Sequence, residues 1–141
     1  MENIKIYLAG GMSNISYEEQ SAWRKAIKHQ LENMLSNRYK CDICNPVDYY
    51  NFENQNHITE KEVMRFDLNK VKRSDLIIVN FNEPKSLGTM SEIAIAYDKG
   101  IPIIGINTSN YKLHPWQVEM SDRIFSDVDL ALNYIIKYYL N

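Results

Sequence analysis

Residues 3 to 9 place Ile4, Ile6 and Leu8 on one face and Tyr7 with Ala9 on the other, and the run stops at Gly10-Gly11. That alternation predicts a strand followed by a loop. From 17 to 35 the spacing changes: Trp23, Ala26, Ile27, Leu31, Met34 and Leu35 recur with the period of an amphipathic helix. A second strand is predicted near 41 to 44, ended by Asn45-Pro46. Residues 48 to 57, rich in Asn and Tyr and without clear period, read as a loop able to fold over a site. Thr59-Glu60-Lys61-Glu62 has the form of a capping box and opens a helix that runs to about 73. Residues 75 to 81 form a short apolar strand of the kind buried in a parallel sheet. A loop over 83 to 88 then leads to an Ala-rich helix over 89 to 99, ended by Gly100. The fourth strand is predicted at 101 to 106, a short fifth near 123 to 125, and a closing helix over 128 to 140.

Strands alternating with helices over one core predict an α/β fold, a flavodoxin-like parallel sheet of four or five strands with helices on both faces. One domain spanning 1 to 141 is expected, because no repeat, low-complexity segment or flexible linker divides the chain. With strand order 2-1-3-4-5, the ligand belongs at the carboxyl ends of the first and third strands, where the order reverses. The loops meeting there are 10 to 14 and 80 to 89. Right-handed crossovers put the helices at 59 to 73 and 89 to 99 on one face of the sheet.

Composition narrows the partners. The 141 residues are 45% apolar and 24% charged with a formal net charge of −2, which gives no reason to expect a nucleic acid polymer. The densest basic stretch, Lys70-Val71-Lys72-Arg73, closes a predicted helix, where cations complement the dipole. The first residues enter an apolar run without a basic leader or cleavage site, and no apolar stretch approaches membrane-spanning length. The expected setting is the cytoplasm, away from membranes. Cys41 and Cys44 form a lone C-x-x-C in a predicted strand, where residues three apart face opposite ways, so they read as ordinary thiols. No metal and no cofactor is expected.

Two carboxylates carry the candidate chemistry. Asp67 interrupts the apolar stripe Val63, Met64, Leu68, Val71, a position that costs several kcal/mol unless the group is paired or used. The plainer reading is an Asp that caps a neighbouring loop from within the core. Glu92 follows the switch-point loop, where the helix dipole would help keep it ionised. Its plainer reading is the last residue of a second capping box, Thr89-Met90-Ser91-Glu92. Together the two suit glycosidic chemistry, which pairs a carboxylate nucleophile with an acid.

Lys5-Ile6-Tyr7-Leu8-Ala9-Gly10, Asp67-Leu68 with Ser74-Asp75, and Ser86-Leu87-Gly88-Thr89-Met90-Ser91-Glu92 with Ala96 and Gly100 resemble, in order and spacing, the nucleoside 2-deoxyribosyltransferase family. Its relatives include the 2'-deoxynucleoside 5'-monophosphate N-glycosidases. The resemblance implies cleavage or exchange of the N-glycosidic bond of a 2'-deoxynucleoside or its 5'-monophosphate, a small-molecule partner, and a homo-oligomer. It implies that Glu92 attacks the anomeric carbon, that Tyr7 positions Glu92, and that Asp67 protonates the departing base. Ser86 matches the phosphate-holding serine of the monophosphate enzymes. After Gly10 the chain departs from their serine and arginine, having Gly11, Met12 and Ser13, although backbone N–H groups at Gly10 and Gly11 with the Ser13 hydroxyl can cradle an anion. Gly88 belongs to the matching motif and is a further substrate-binding candidate. His114, or Trp116, is the candidate supplied by a neighbouring subunit. The Tyr-rich segment 133 to 139 has more apolar area than one helix face buries.

Other readings fit less of the chain. Gly88-Thr89-x-x-Glu92 also resembles the end of the phosphoribohydrolase motif of cytokinin-activating enzymes, but Pro84-Lys85-Ser86 stands where Pro-Gly-Gly is required. Residues 9 to 14 lack G-x-G-x-x-G, and no Walker lysine motif is present. The alternative from another class is a non-catalytic nucleotide-binding module of the same fold.

Overall fold

The computed structural model describes residues 2–11, 16–35, 39–46 and 58–140. Five parallel strands, β1 (Glu2–Gly10), β2 (Tyr39–Cys44), β3 (Leu76–Asn80), β4 (Ile103–Ile106) and β5 (Arg123–Phe125), form one sheet in the order β2-β1-β3-β4-β5. Helices α1 (Tyr17–Met34), α2 (Glu60–Lys72), α3 (Leu87–Asp98), α4 (Pro115–Met120) and α5 (Val128–Tyr139) connect or close them. The fold is flavodoxin-like, as the alternation of periods predicts, and the fifth strand is present.

The pleat of β1 divides the core. Ile6 and Leu8 join Ile78, Ile104 and Ile106 under Ile27 and Leu31 of α1 and Leu132 and Ile135 of α5. Tyr7 and Ala9 point the other way, into a cluster with Ile77 and Val79 under Val71 of α2 and Ile93 and Ala96 of α3. Helices α2 and α3 pack against each other there, as right-handed crossovers require. Cys41 packs with the first cluster and Cys44 with the second, and neither is joined in a disulfide. Burial pushes the Cys41 thiol up to about 11, which makes it a poor nucleophile.

Local signals set the helix ends. The Thr59 side chain accepts from Glu62 N while the Glu62 carboxylate accepts from Thr59 N at 3.1 Å, a complete capping box. Helix α3 ends at Gly100, whose φ of 73° lets Gly100 N donate to Tyr97 O at 3.0 Å and Ile101 N to Ala96 O at 2.9 Å. Two expectations are corrected. Helix α3 starts at Leu87 with Ser86 as N-cap, so Thr89 to Glu92 is not a capping box. In α1 the buried residues are Gln20, Ser21, Arg24, Ile27 and Leu31, whereas Ala26 and Met34 are exposed. The face that meets the sheet is thus rotated from the purely apolar stripe. Helix α4, opened by His114 and Pro115, has no counterpart in the periodicity. The expected loop at 48–57 lies outside the described residues. Among the described residues no helix is long and apolar enough to cross a membrane.

Candidate active site

At the switch point β1 and β3 end side by side, with Gly10 opposite Asn80. Gly11 N donates to Asn82 Oδ1 at 3.1 Å, tying the two following loops together. Both glycines are required by close approach. A Cβ on Gly10 would meet the Trp23 ring at 2.6 Å, and one on Gly11 would meet Glu83 Cβ at 2.5 Å. Above these loops opens a cavity of about 1180 Å³, lined on one side by Val63, Met64, Asp67 and Leu68 of α2 and on the other by Ser86, Gly88, Thr89 and Glu92. Met64, 52% exposed, and half-buried Leu68 therefore give the cavity an apolar wall, not the core contact their spacing suggests.

Three predicted residues meet at its floor. Tyr7 of β1, fully buried, donates its hydroxyl hydrogen bond to Glu92 Oε2. Glu92 is in the second turn of α3, beyond the reach of the helix terminus, and burial pushes its carboxyl up to about 8. The Tyr7 hydrogen bond and the charge of Arg24 oppose that rise, and the Asp67 charge adds to it. The dipole expectation is thus overridden by desolvation. Asp67 is likewise pushed up by burial, to about 7, against the pull of Arg24. Its Oδ1 is buried with no hydrogen-bond partner among the described residues, so no bond there supports the loop-capping reading. The Tyr7 hydroxyl is pushed well above its ordinary value by burial and by the Glu92 and Asp67 charges, so it remains a donor at any working pH. Two like-charged carboxyls in one buried site retain a proton between them around neutral pH.

At the mouth, Ser86 Oγ accepts from Thr89 N at 3.3 Å and from Thr89 Oγ1 at 3.1 Å, which leaves its own O–H to donate. The Leu87 and Gly88 N–H groups of the same turn have no intrahelical acceptor. A side chain at Gly88 would project into open space, so its absence keeps that turn accessible. His114 is not brought to this cavity. It caps α4, its Nδ1 accepting from Trp116 N at 3.1 Å, and it lines a separate cavity of about 530 Å³ with Trp116, Met90 and Lys85. Ser13 lies outside the described residues.

Arg24 is the residue that sequence reasoning missed. Gln20, Arg24, Ile27 and Leu31 recur at helical spacing, and that signal is visible in the sequence only if charge is not taken as a mark of exposure. The Glu83 carboxylate, with Oε2 buried and unpartnered among the described residues, was also missed.

The sequence profile of the nucleoside 2-deoxyribosyltransferases matches residues 6–133. The chain belongs to the nucleoside 2-deoxyribosyltransferase family. No curated protein matches the sequence. Among solved structures, a conserved protein of Enterococcus faecalis V583 superposes with a TM-score of 0.74 at 19% identity, over 95% of this chain and 98% of that one. A 2-deoxyribosyltransferase of Bacillus psychrosaccharolyticus gives 0.70 at 19% identity, over 92% and 91%. The CMP N-glycosidase of Clostridium botulinum gives 0.58 at 20% identity, over 95% and 99%. These likenesses establish the shared fold.

Proposed function

We propose that this chain cleaves or exchanges the N-glycosidic bond of a 2'-deoxynucleoside or its 5'-monophosphate, with Glu92 as nucleophile. The observation that carries the reading is the buried Tyr7–Glu92 hydrogen bond facing Asp67 at the floor of the cavity. Burial lifts Glu92 to about 8, above Asp67 at about 7, so the reacting form, with Glu92 ionised and Asp67 protonated, is the minor one at neutral pH, and the hydrogen bond that Tyr7 donates is what favours it. With Oε2 held by Tyr7, Oε1 attacks the anomeric carbon as the bond to the base nitrogen breaks. The electron pair of that bond leaves with the base, and the protonated Asp67 delivers its proton to a base nitrogen. Water or a second base then attacks the anomeric carbon of the glycosyl ester, gives its proton to the Asp67 carboxylate, releases Glu92 as carboxylate, and gives net retention.

Ser86 and the free N–H groups of the first turn of α3 are the anion-binding elements of this reading, and Gly10 and Gly11 shape the opposite lip. They favour a 5'-monophosphate over a free nucleoside. His114 belongs to the reading only across an interface with a second copy, as part of a homo-oligomer, which light scattering tests directly. A binding module would gain nothing from two buried carboxyls held above their ordinary range, a placement that costs stability.

The deciding experiment incubates the protein with a panel of deoxynucleosides, deoxynucleotides and ribonucleotides and measures free base. Release from the deoxy compounds is expected, fastest from a monophosphate. Binding without release from any of them would make the chain a nucleotide-binding module.

A further inference from the structure

Arg24 is fully buried, which is rare for an arginine without a carboxylate fork. Its guanidinium instead holds backbone. Nε donates to Leu8 O at 3.3 Å, Nη2 to Gly10 O at 3.1 Å, and Nη1 to Gln20 O at 2.8 Å. Leu8 and Gly10 flank the last turn of the β1 pleat, two residues apart on the strand that carries Tyr7. The Trp23 ring lies over the guanidinium carbon at 4.4 Å and is itself the group pressed against Gly10. Among the described residues no carboxylate pairs directly with this cation, yet its field reaches Tyr7, Glu92 and Asp67.

We propose that Arg24 is a positioning residue of the site: its fork fixes the carboxyl end of β1, and its charge holds the Glu92–Asp67 pair in the singly ionised state. The proposal rests on the reading of Glu92 and Asp67 as the working pair. Arg24 therefore contributes to the chemistry from the far side of β1 without itself lining the cavity, which α1 reaches through Gln20.

The surroundings make the charge matter. Glu92 is faced by Tyr7 from β1, by Asp67 from α2 and by Arg24 from α1, and Tyr7 is further faced by Cys44 of β2. Of these only Arg24 is cationic. Glu60, Lys61 and Lys85 line the cavity as exposed residues, screened by water, and Glu83 lines it with one carboxylate oxygen buried. Burial leaves the Arg24 guanidinium at about 10, still a cation at neutral pH. Its attraction favours the ionised form of both carboxyls, and without it desolvation and mutual repulsion act unopposed except by the Tyr7 hydrogen bond.

The test compares Arg24→Met, which keeps bulk and loses charge, with Arg24→Lys, which keeps charge and loses the fork. The Glu92 carboxyl is titrated in the ligand-free protein by carbon NMR of labelled glutamate, its resonance assigned by its loss in Glu92→Gln. Arg24→Met is expected to raise the titration midpoint by roughly one pH unit, and to move the acidic limb of kcat/KM for base release in the same direction. Arg24→Lys is expected to keep the midpoint near that of the wild type while the Gly10 amide exchanges faster with solvent. An unchanged or lowered midpoint in folded Arg24→Met overturns the proposal. Should Arg24→Met fail to fold, Arg24→Lys decides: wild-type exchange at Gly10 overturns it. A wild-type protein that releases no base refutes the enzymatic reading instead, and the titration still judges Arg24.

Discussion

Ile6 and Tyr7 are adjacent on β1 and equally shut off from solvent, but the pleat sends one into an aliphatic cluster and the other toward two carboxyls. The Ile6 face is closed by α1 and α5 with branched side chains that complete one another's packing. The Tyr7 face is closed by α2 and α3, and there the apolar layer gives way toward the carboxyl end of the strands to Asp67, Glu92 and Thr89. The difference teaches where the fold spends its stability. One face supplies burial free energy, and the other gives part of it up to hold ionisable groups in a dry crevice.

Substitutions on the two faces should therefore fail in different ways. The largest effect is expected from Glu92→Gln, which keeps length and shape but offers an amide oxygen in place of a nucleophile. Turnover should fall roughly a thousandfold or more while calorimetry still detects substrate binding. Near-normal turnover would place Glu92 with the structural residues. Asp67→Asn comes next, with a loss of about 10²–10⁴-fold on bases that leave poorly and little on activated ones, because an activated base departs with little protonation. Equal losses on both would remove Asp67 from the acid role.

On the opposite face, Ile6→Ala should lower unfolding free energy by about 2–5 kcal/mol in denaturant titrations, through lost burial and a cavity. Its residual folded fraction should keep the pH dependence of the wild type. A changed pH profile would show that the two faces are not separable.

The pH dependence of stability sharpens the same contrast. Glu92 has its carboxyl raised from 4.5 to about 8 in the folded protein, so the folded state holds a proton that the unfolded chain releases. Its stabilising proton is fully present below about pH 4.5 and is lost as pH rises through 8, so wild-type stability should decline across that window. Asp67 adds to the decline between 3.8 and about 7. Glu92→Gln carries no such proton and should gain on the wild type by several kcal/mol between pH 4 and pH 9. A constant difference across that range would contradict the burial of an ionisable Glu92.

Ser86→Ala is the mildest case, because two small roles end together. Loss of the N-cap should cost about 1 kcal/mol, and KM should rise for a 5'-monophosphate but not for the free nucleoside. An equal KM change on both substrates would confine Ser86 to capping α3.

How much of this was legible in the chain depends on distance along it. Alternation at residues 4 to 9, the Thr59 capping box, the Gly100 stop and the misplaced Asp67 are signals within one or two turns, and they determined the elements, their order and the candidate carboxylates. The pairing of Tyr7 with Glu92 spans 85 residues and follows only once β3 lies beside β1. Within single helices, too, tertiary packing overrode the local pattern. Ser86, not Thr89, caps α3 because the chain leaving β3 turns there. Arg24, not Ala26 or Met34, turns inward on α1 because the carbonyls of Leu8 and Gly10 offer it partners that no neighbour in sequence could reveal. A pattern of polar and apolar residues records which side chains water would accept. Which polar groups the interior accepts depends on hydrogen-bond partners that only the assembled sheet brings within reach.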